Sequence, residues 1–196
     1  MKYRAGFTLI EVLIVAVIAI SIAAFSVPLY KKSQERNKLT AAQGVLVEIA
    51  NAMQAIRADY TSAGVSLIDV PRGNTQLTTT HQSTTASSYQ EARNFNSIAE
   101  VDYSHMPYAL FARDYMQPIP YSSGNTYKGY RFYICKAAVS TEQSCCKLSE
   151  IACIRKNSSC TKTSDFQGAY IDDDGLLVEV TNNSPEEDRK AVCGLS

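Results

Sequence analysis

The sequence predicts an α+β protein: one long N-terminal helix, apolar then amphipathic, ahead of a head built on an antiparallel β-sheet. Three observations carry this. From Phe7 to Tyr30 the chain is an apolar run in which the sole ionisable side chain before the tyrosine is Glu11. Beyond Pro28, apolar residues recur at three- and four-residue spacing as far as Tyr60. Late in the chain, Ala169-Tyr170-Ile171 and Leu176 to Val180 flank Asp172-Asp173-Asp174-Gly175, the pattern of a hairpin closed by an Asp-Gly turn.

The apolar run is long enough to cross a membrane, since about 20 mainly apolar residues span the hydrocarbon core as a helix. Lys2 and Arg4 make the leader, residues 1–6, basic, which keeps it cytoplasmic. A carboxylate inside such a helix costs about 2.5–3.5 kcal/mol at its centre and marks function. An ordinary secretory signal also has a basic start, an apolar stretch and small residues such as Ala23, Ala24 and Ser26. Such a signal has no use for Glu11, and the helix that continues past Pro28 implies that the segment is kept.

Gly6-Phe7-Thr8-Leu9-Ile10-Glu11, heading this run, resembles the N-terminus of type IV pilins and of the related pseudopilins of type II secretion. The resemblance implies that a prepilin peptidase cuts after Gly6 and methylates the new amine of Phe7. It implies that Glu11 pairs with the N-terminal amine of a neighbouring subunit during assembly. Pro28 and Tyr30 match the residues that close the family's apolar segment, and Ile20 stands where the family often has a glycine that accompanies local melting in filaments. The implied organisation is a leader over 1–6, a transmembrane and polymerisation helix over 7–30, the amphipathic half over 31–60, and a globular head over 61–196. The implied partners are other pilins in a homo- or hetero-polymer, the peptidase, inner-membrane assembly machinery, and membrane lipid before assembly. The implied location is the bacterial inner membrane, then an extracellular pilus or a periplasmic pseudopilus.

Within the amphipathic half, Leu39, Ala42, Val45, Leu46, Ile49, Met53, Ile56 and Tyr60 form one stripe, with Lys38, Gln43, Glu48, Asn51, Gln54 and Arg57 on other faces. The stripe packs against the head's own sheet. Lys31 to Lys38 is polar on most sides and is exposed or faces other subunits. As one helix, Phe7 to Tyr60 is about 80 Å long. Pro28 is expected to kink it and Gly44 to weaken it.

Thr61 to about Ala99 reads as a long polar connection, threonine- and serine-rich from Asn74 to Ser88, with turn chemistry at Pro71-Arg72-Gly73. A connection of this length is functional or mobile, and the resemblance places it on the filament surface. Ala109 to Tyr115 is expected to form a short helix before Pro118 and Pro120. Gly129 to Val139 has the aromatic and β-branched content of a strand.

The six cysteines, Cys135, Cys145, Cys146, Cys153, Cys160 and Cys193, lie in the last third, with a cysteine-rich insertion over 135–160. A head outside the cytoplasm makes an even count a disulfide framework. The pairing stays open, although a Cys145–Cys146 bond would strain the ring between adjacent residues. Zinc is the rival reading, but no close CxxC pair exists. The resemblance implies that Cys193 ties the C-terminal segment to the sheet.

Lysine plus arginine equals aspartate plus glutamate at 19 each, so net charge points neither to nor away from nucleic acid. Lys147, Arg155, Lys156 and Lys162 could gather as a basic patch, and some pilins bind DNA, but a solvated loop explains them better. Asp172 to Asp174 could supply calcium oxygens, yet the ligand spacing of a calcium loop is missing and the turn explains them. His81 and His105 lie in no nucleophile or metal motif. The sequence therefore predicts no catalytic residues, no cofactor and no metal. The function it predicts is a structural subunit of a type IV pilus for adhesion, motility or DNA uptake, with Ile20 and the cysteine-rich insertion leaning toward a minor or specialised one. The alternatives are a pseudopilin of a type II secretion system or a membrane-anchored binding domain that does not polymerise.

Overall fold

The computed structural model describes residues 8–64, 72–102, 104–137, 150–156 and 167–193. Gly6, Phe7, Pro71, Cys145, Cys146, Lys147, Cys160 and Lys162 lie outside them. The chain divides into two compact units at Lys38, and helix α1 (Leu9–Ser62) contributes to both.

In the first unit α1 stays helical through Pro28. Its apolar side chains from Leu9 to Tyr30 are all exposed, and this stretch is long and apolar enough to cross a membrane. Polarity returns at Lys31, and Lys38 Nζ pairs with Glu35 Oε1 at 2.8 Å, one turn apart on the helix.

In the second unit α1 presents the predicted stripe. Leu39, Ala42, Leu46, Ile49, Met53, Ile56 and Tyr60 are buried, with Val45 packed at the margin. They meet one face of a five-stranded antiparallel sheet in which consecutive strands are neighbours. Its strands are β1 (Arg72–Gln76), β2 (Tyr130–Ala137), β3 (Glu150–Lys156), β4 (Gln167–Asp172) and β5 (Leu177–Thr181). The register aligns Phe132, Ile154 and Ala169 in one row and Ile134, Ala152 and Ile171 in the next. These residues join the α1 stripe in one buried cluster. Burying each large apolar side chain stabilises the head by about 1.5–3 kcal/mol before entropy is counted. The opposite face carries Tyr133, Cys153 and Tyr170 in register. Helix α4 (Glu186–Cys193) packs at this side, with Val192 against Val180 and Tyr170.

Several expectations are corrected. The stretch 135–160 is not simply an insertion, because β3 lies within it at the centre of the sheet. Ala152 and Ile154 point to the core while Cys153 and Arg155 lie on the other face, so the strand alternation is present but short. The long polar connection from Thr61 to Ala99 carries regular elements of its own. It holds β1, a 3₁₀ turn at Thr79–Gln82 and helix α2 (Ser87–Asn94). β1 has little intrinsic strand character and exists by pairing with β2. The short helix expected at 109–115 is α3 (Met106–Ala112), displaced toward the N-terminus because Pro107 suits the first helical turn. Asp114 at φ 57° ends it. The strand expected at 129–139 is β2, and α4 is a C-terminal helix that the residue pattern does not announce.

The hairpin is as predicted. Gly175 at φ 84° supplies the left-handed residue, and Gly175 N–H donates to Asp172 C=O at 3.0 Å.

Candidate assembly site at the N-terminal helix

α1 begins at Leu9, which makes Thr8 its N-cap and Glu11 its third residue. The Glu11 carboxylate Oε2 accepts the Thr8 N–H at 2.8 Å and the Thr8 hydroxyl at 2.7 Å. In return, the Glu11 N–H donates to Thr8 Oγ1 at 3.4 Å. This is a capping box, in which two side chains satisfy backbone donors that the first helical turn leaves open. A carboxylate here also faces the positive end of the helix dipole. Glu11 is thus held at the helix end by its own chain. Thr8 is a site residue that the sequence reading did not single out, although the Thr-x-x-Glu spacing at residues 8–11 signals it.

Around Glu11 the surface is apolar and open. Leu9, Ile10, Val12, Leu13, Ile14 and Val15 are each more than half exposed. Ser21 turns its hydroxyl back onto Val17 C=O at 2.8 Å, so its polarity is met within the helix. Pro28 closes this stretch, exposed like its neighbours. A charged, capped terminus on a bare apolar helix can therefore do two things: insert into lipid, and pack against like helices.

The head's other singled-out residues serve the fold. Asp172 Oδ1 accepts the Leu176 N–H at 2.7 Å, and Asp173 Oδ1 meets Arg57 Nη1 at 3.1 Å. Asp172 therefore closes the hairpin turn on itself, and Asp173 ties that turn to α1. Among the described residues, no group of three or more histidine, cysteine, aspartate or glutamate side chains is placed to hold a metal. Arg155 lies over the Tyr133 ring, 4.6 Å from its centroid, and opposite Arg131 across the strand pair. Cys135 and Cys153 are buried side by side with Tyr133, and both are disulfide-bonded. His81 Nδ1 accepts the Thr78 N–H at 3.0 Å, and its ring packs edge-on against Tyr108, so its polarity and its ring are both used within the fold.

Residues 1–26 match the family model described as the prokaryotic N-terminal methylation motif. No curated protein and no solved structure matches the chain. The prepilin-type methylation motif thus heads a long N-terminal helix that packs on a five-stranded antiparallel sheet, a pilin-like α+β fold.

Proposed function

We propose that this chain is a structural subunit of a type IV pilus, held in the inner membrane by residues 7–30 until it is drawn into a filament. Prepilin peptidase cleaves after Gly6 and the amine of Phe7 is methylated. Glu11 then pairs with the Phe7 amine of a neighbouring copy or of another pilin. The observation that carries this reading is a methylation motif whose glutamate sits at the capped end of an exposed apolar helix.

The physical case rests on burial. An unpaired carboxylate in hydrocarbon is expensive, and a cation at similar depth offsets it. Four residues separate Phe7 from Glu11, about 6 Å along a helix. A neighbour advanced by that distance brings its amine beside this carboxylate, and the pairing sets the stagger between subunits. The amine replaces hydrogen bonds that Thr8 supplies before assembly. The pseudopilin reading shares each of these steps and differs in where the polymer ends, in the periplasm instead of outside the cell.

The test is filament incorporation. Glu11→Gln is expected to leave membrane insertion and cleavage intact and to reduce incorporation at least tenfold. Glu11→Leu is expected to do the same despite its greater hydrophobicity, which separates pairing from anchoring. Normal incorporation of both variants overturns the assembly role of Glu11. Surface imaging of labelled protein then distinguishes a pilus from a periplasmic polymer.

A further inference from the structure

His105 sits where three pieces of the head meet: α2, the turn at Asp102 and the first turn of α3. Its side chain is 16% exposed. Nδ1 lies 2.7 Å from Asp102 Oδ1, and Nε2 lies 2.9 Å from Glu91 Oε2 on α2. The Phe95 ring packs edge-on against it at 5.6 Å. An ionised carboxylate only accepts hydrogen bonds, and a neutral imidazole has a single N–H. Both interactions are therefore hydrogen bonds only when the ring carries two protons. We propose that His105 is a proton-operated clasp, holding α2 to the Asp102 turn as an imidazolium and releasing α2 when it becomes neutral.

The two carboxylates are not held alike. Asp102 Oδ1 also accepts the Ser104 N–H at 2.8 Å, the Ser104 hydroxyl at 2.6 Å and the His105 N–H at 3.0 Å. It stays fixed to its turn whatever the ring does. A neutral ring donates to one carboxylate at a time, and with its proton on Nδ1, toward the nearer Asp102, the bare Nε2 meets the lone pairs of Glu91. In that tautomer the hydrogen bond to α2 is the one that breaks.

The charged groups acting on the ring are Asp102 from its own turn and Glu91 from α2. Arg113, at the end of α3, holds the far end of α2 through Phe95 C=O at 3.0 Å and Ala92 C=O at 3.4 Å. Its guanidinium stays charged throughout, so that end remains tied and the release is confined to the Glu91 side.

Burial pushes His105 down, but the hydrogen bonds and charges of Asp102 and Glu91 prevail and raise it above its ordinary 6.5. Burial pushes Asp102 up, yet Ser104 and His105 prevail and bring it down to about 2. The raised histidine contributes fully below 6.5, and its contribution fades as pH rises through its folded value. The depressed aspartate contributes fully above its ordinary 3.8, and its contribution fades as pH falls toward 2. The clasp is therefore closed between these limits and opens on the alkaline side.

Hydrogen exchange of the full-length protein in detergent micelles, from about pH 5 to about pH 9, tests this once the intrinsic pH dependence of exchange is removed. Peptides over 87–94 are expected to lose protection about two- to fivefold on the alkaline side, the size an ion pair with one exposed partner supplies. Peptides over β2 and β4 are expected to show no such step. His105→Gln is expected to abolish the step and leave α2 weakly protected at every pH. Glu91→Gln also abolishes it but keeps most of the protection, because an amide can accept from Nε2–H or donate to a bare Nε2. Unchanging protection in the unmodified chain, or a step that survives either substitution, overturns the clasp.

Discussion

Gly175 shows how a single residue holds the β4–β5 hairpin in place. Its φ of 84° lies in the left-handed region, and an added Cβ would meet nothing closer than Gln54 Nε2 at 3.8 Å. The penalty for a side chain here is therefore conformational and not steric. Gly175→Ala is expected to destabilise the head by about 1 kcal/mol, read from a denaturant midpoint with an unchanged slope. Tyr60 acts differently. It is buried, and its hydroxyl donates to Val101 C=O, which ties the end of α1 to the start of the segment leading to α3. Tyr60→Phe keeps the ring and leaves a buried carbonyl short of a donor, at a cost of about 1–3 kcal/mol. A destabilisation below about 0.3 kcal/mol would mean that water replaces the hydroxyl there.

At the scale of elements, periodicity decides what the sequence discloses. The α1 stripe was legible because eight apolar residues repeat at helical spacing over more than five turns, and the structure buries seven of them with Val45 at the edge. The β4–β5 hairpin was legible because Asp-Gly chemistry names its own turn. β3 was not, since Glu150-Ile151-Ala152-Cys153-Ile154-Arg155-Lys156 has only a short alternation, interrupted by a register slip between Glu150 and Ala152. Its cysteine pointed to covalent framework instead of to a strand. β1 was hidden for a stronger reason: its residues form a strand by pairing with β2, which no local pattern encodes. For the assembly site, the Gly6-to-Glu11 motif was readable in full, whereas the capping role of Thr8 needed the helix start to be placed. Gly44 offers a test of α1 as an element. It sits on the exposed side of the helix with open space where a Cβ would go. Gly44→Ala is expected to stabilise the head by about 0.5–1 kcal/mol, by helix propensity alone. A destabilised variant would show that α1 departs from helical geometry at that point.

For the whole molecule, the two units answer to different forces. Residues 9–30 bury no side chain within the chain and depend on lipid or on other helices. The head carries its own core, and on the sheet face opposite α1 it adds disulfide-bonded Cys135 and Cys153, both fully buried. We expect all six cysteines to be engaged in three disulfides, none joining Cys145 to Cys146, with Cys193 bridged to a residue outside the C-terminal tail. A bridge from Cys193 would fasten α4, which packs at the same side of the sheet. Each bridge is expected to contribute about 2–4 kcal/mol, chiefly by restricting the unfolded chain. Peptide mapping of the unreduced protein reads the pairing directly. Reduction is then expected to lower the unfolding midpoint of the head while the helical signal of the micelle-embedded segment stays unchanged. Free thiols recovered with stoichiometric zinc would replace the disulfide framework with a metal site. A membrane-segment signal that collapsed together with the head would show that the two units do not fold independently.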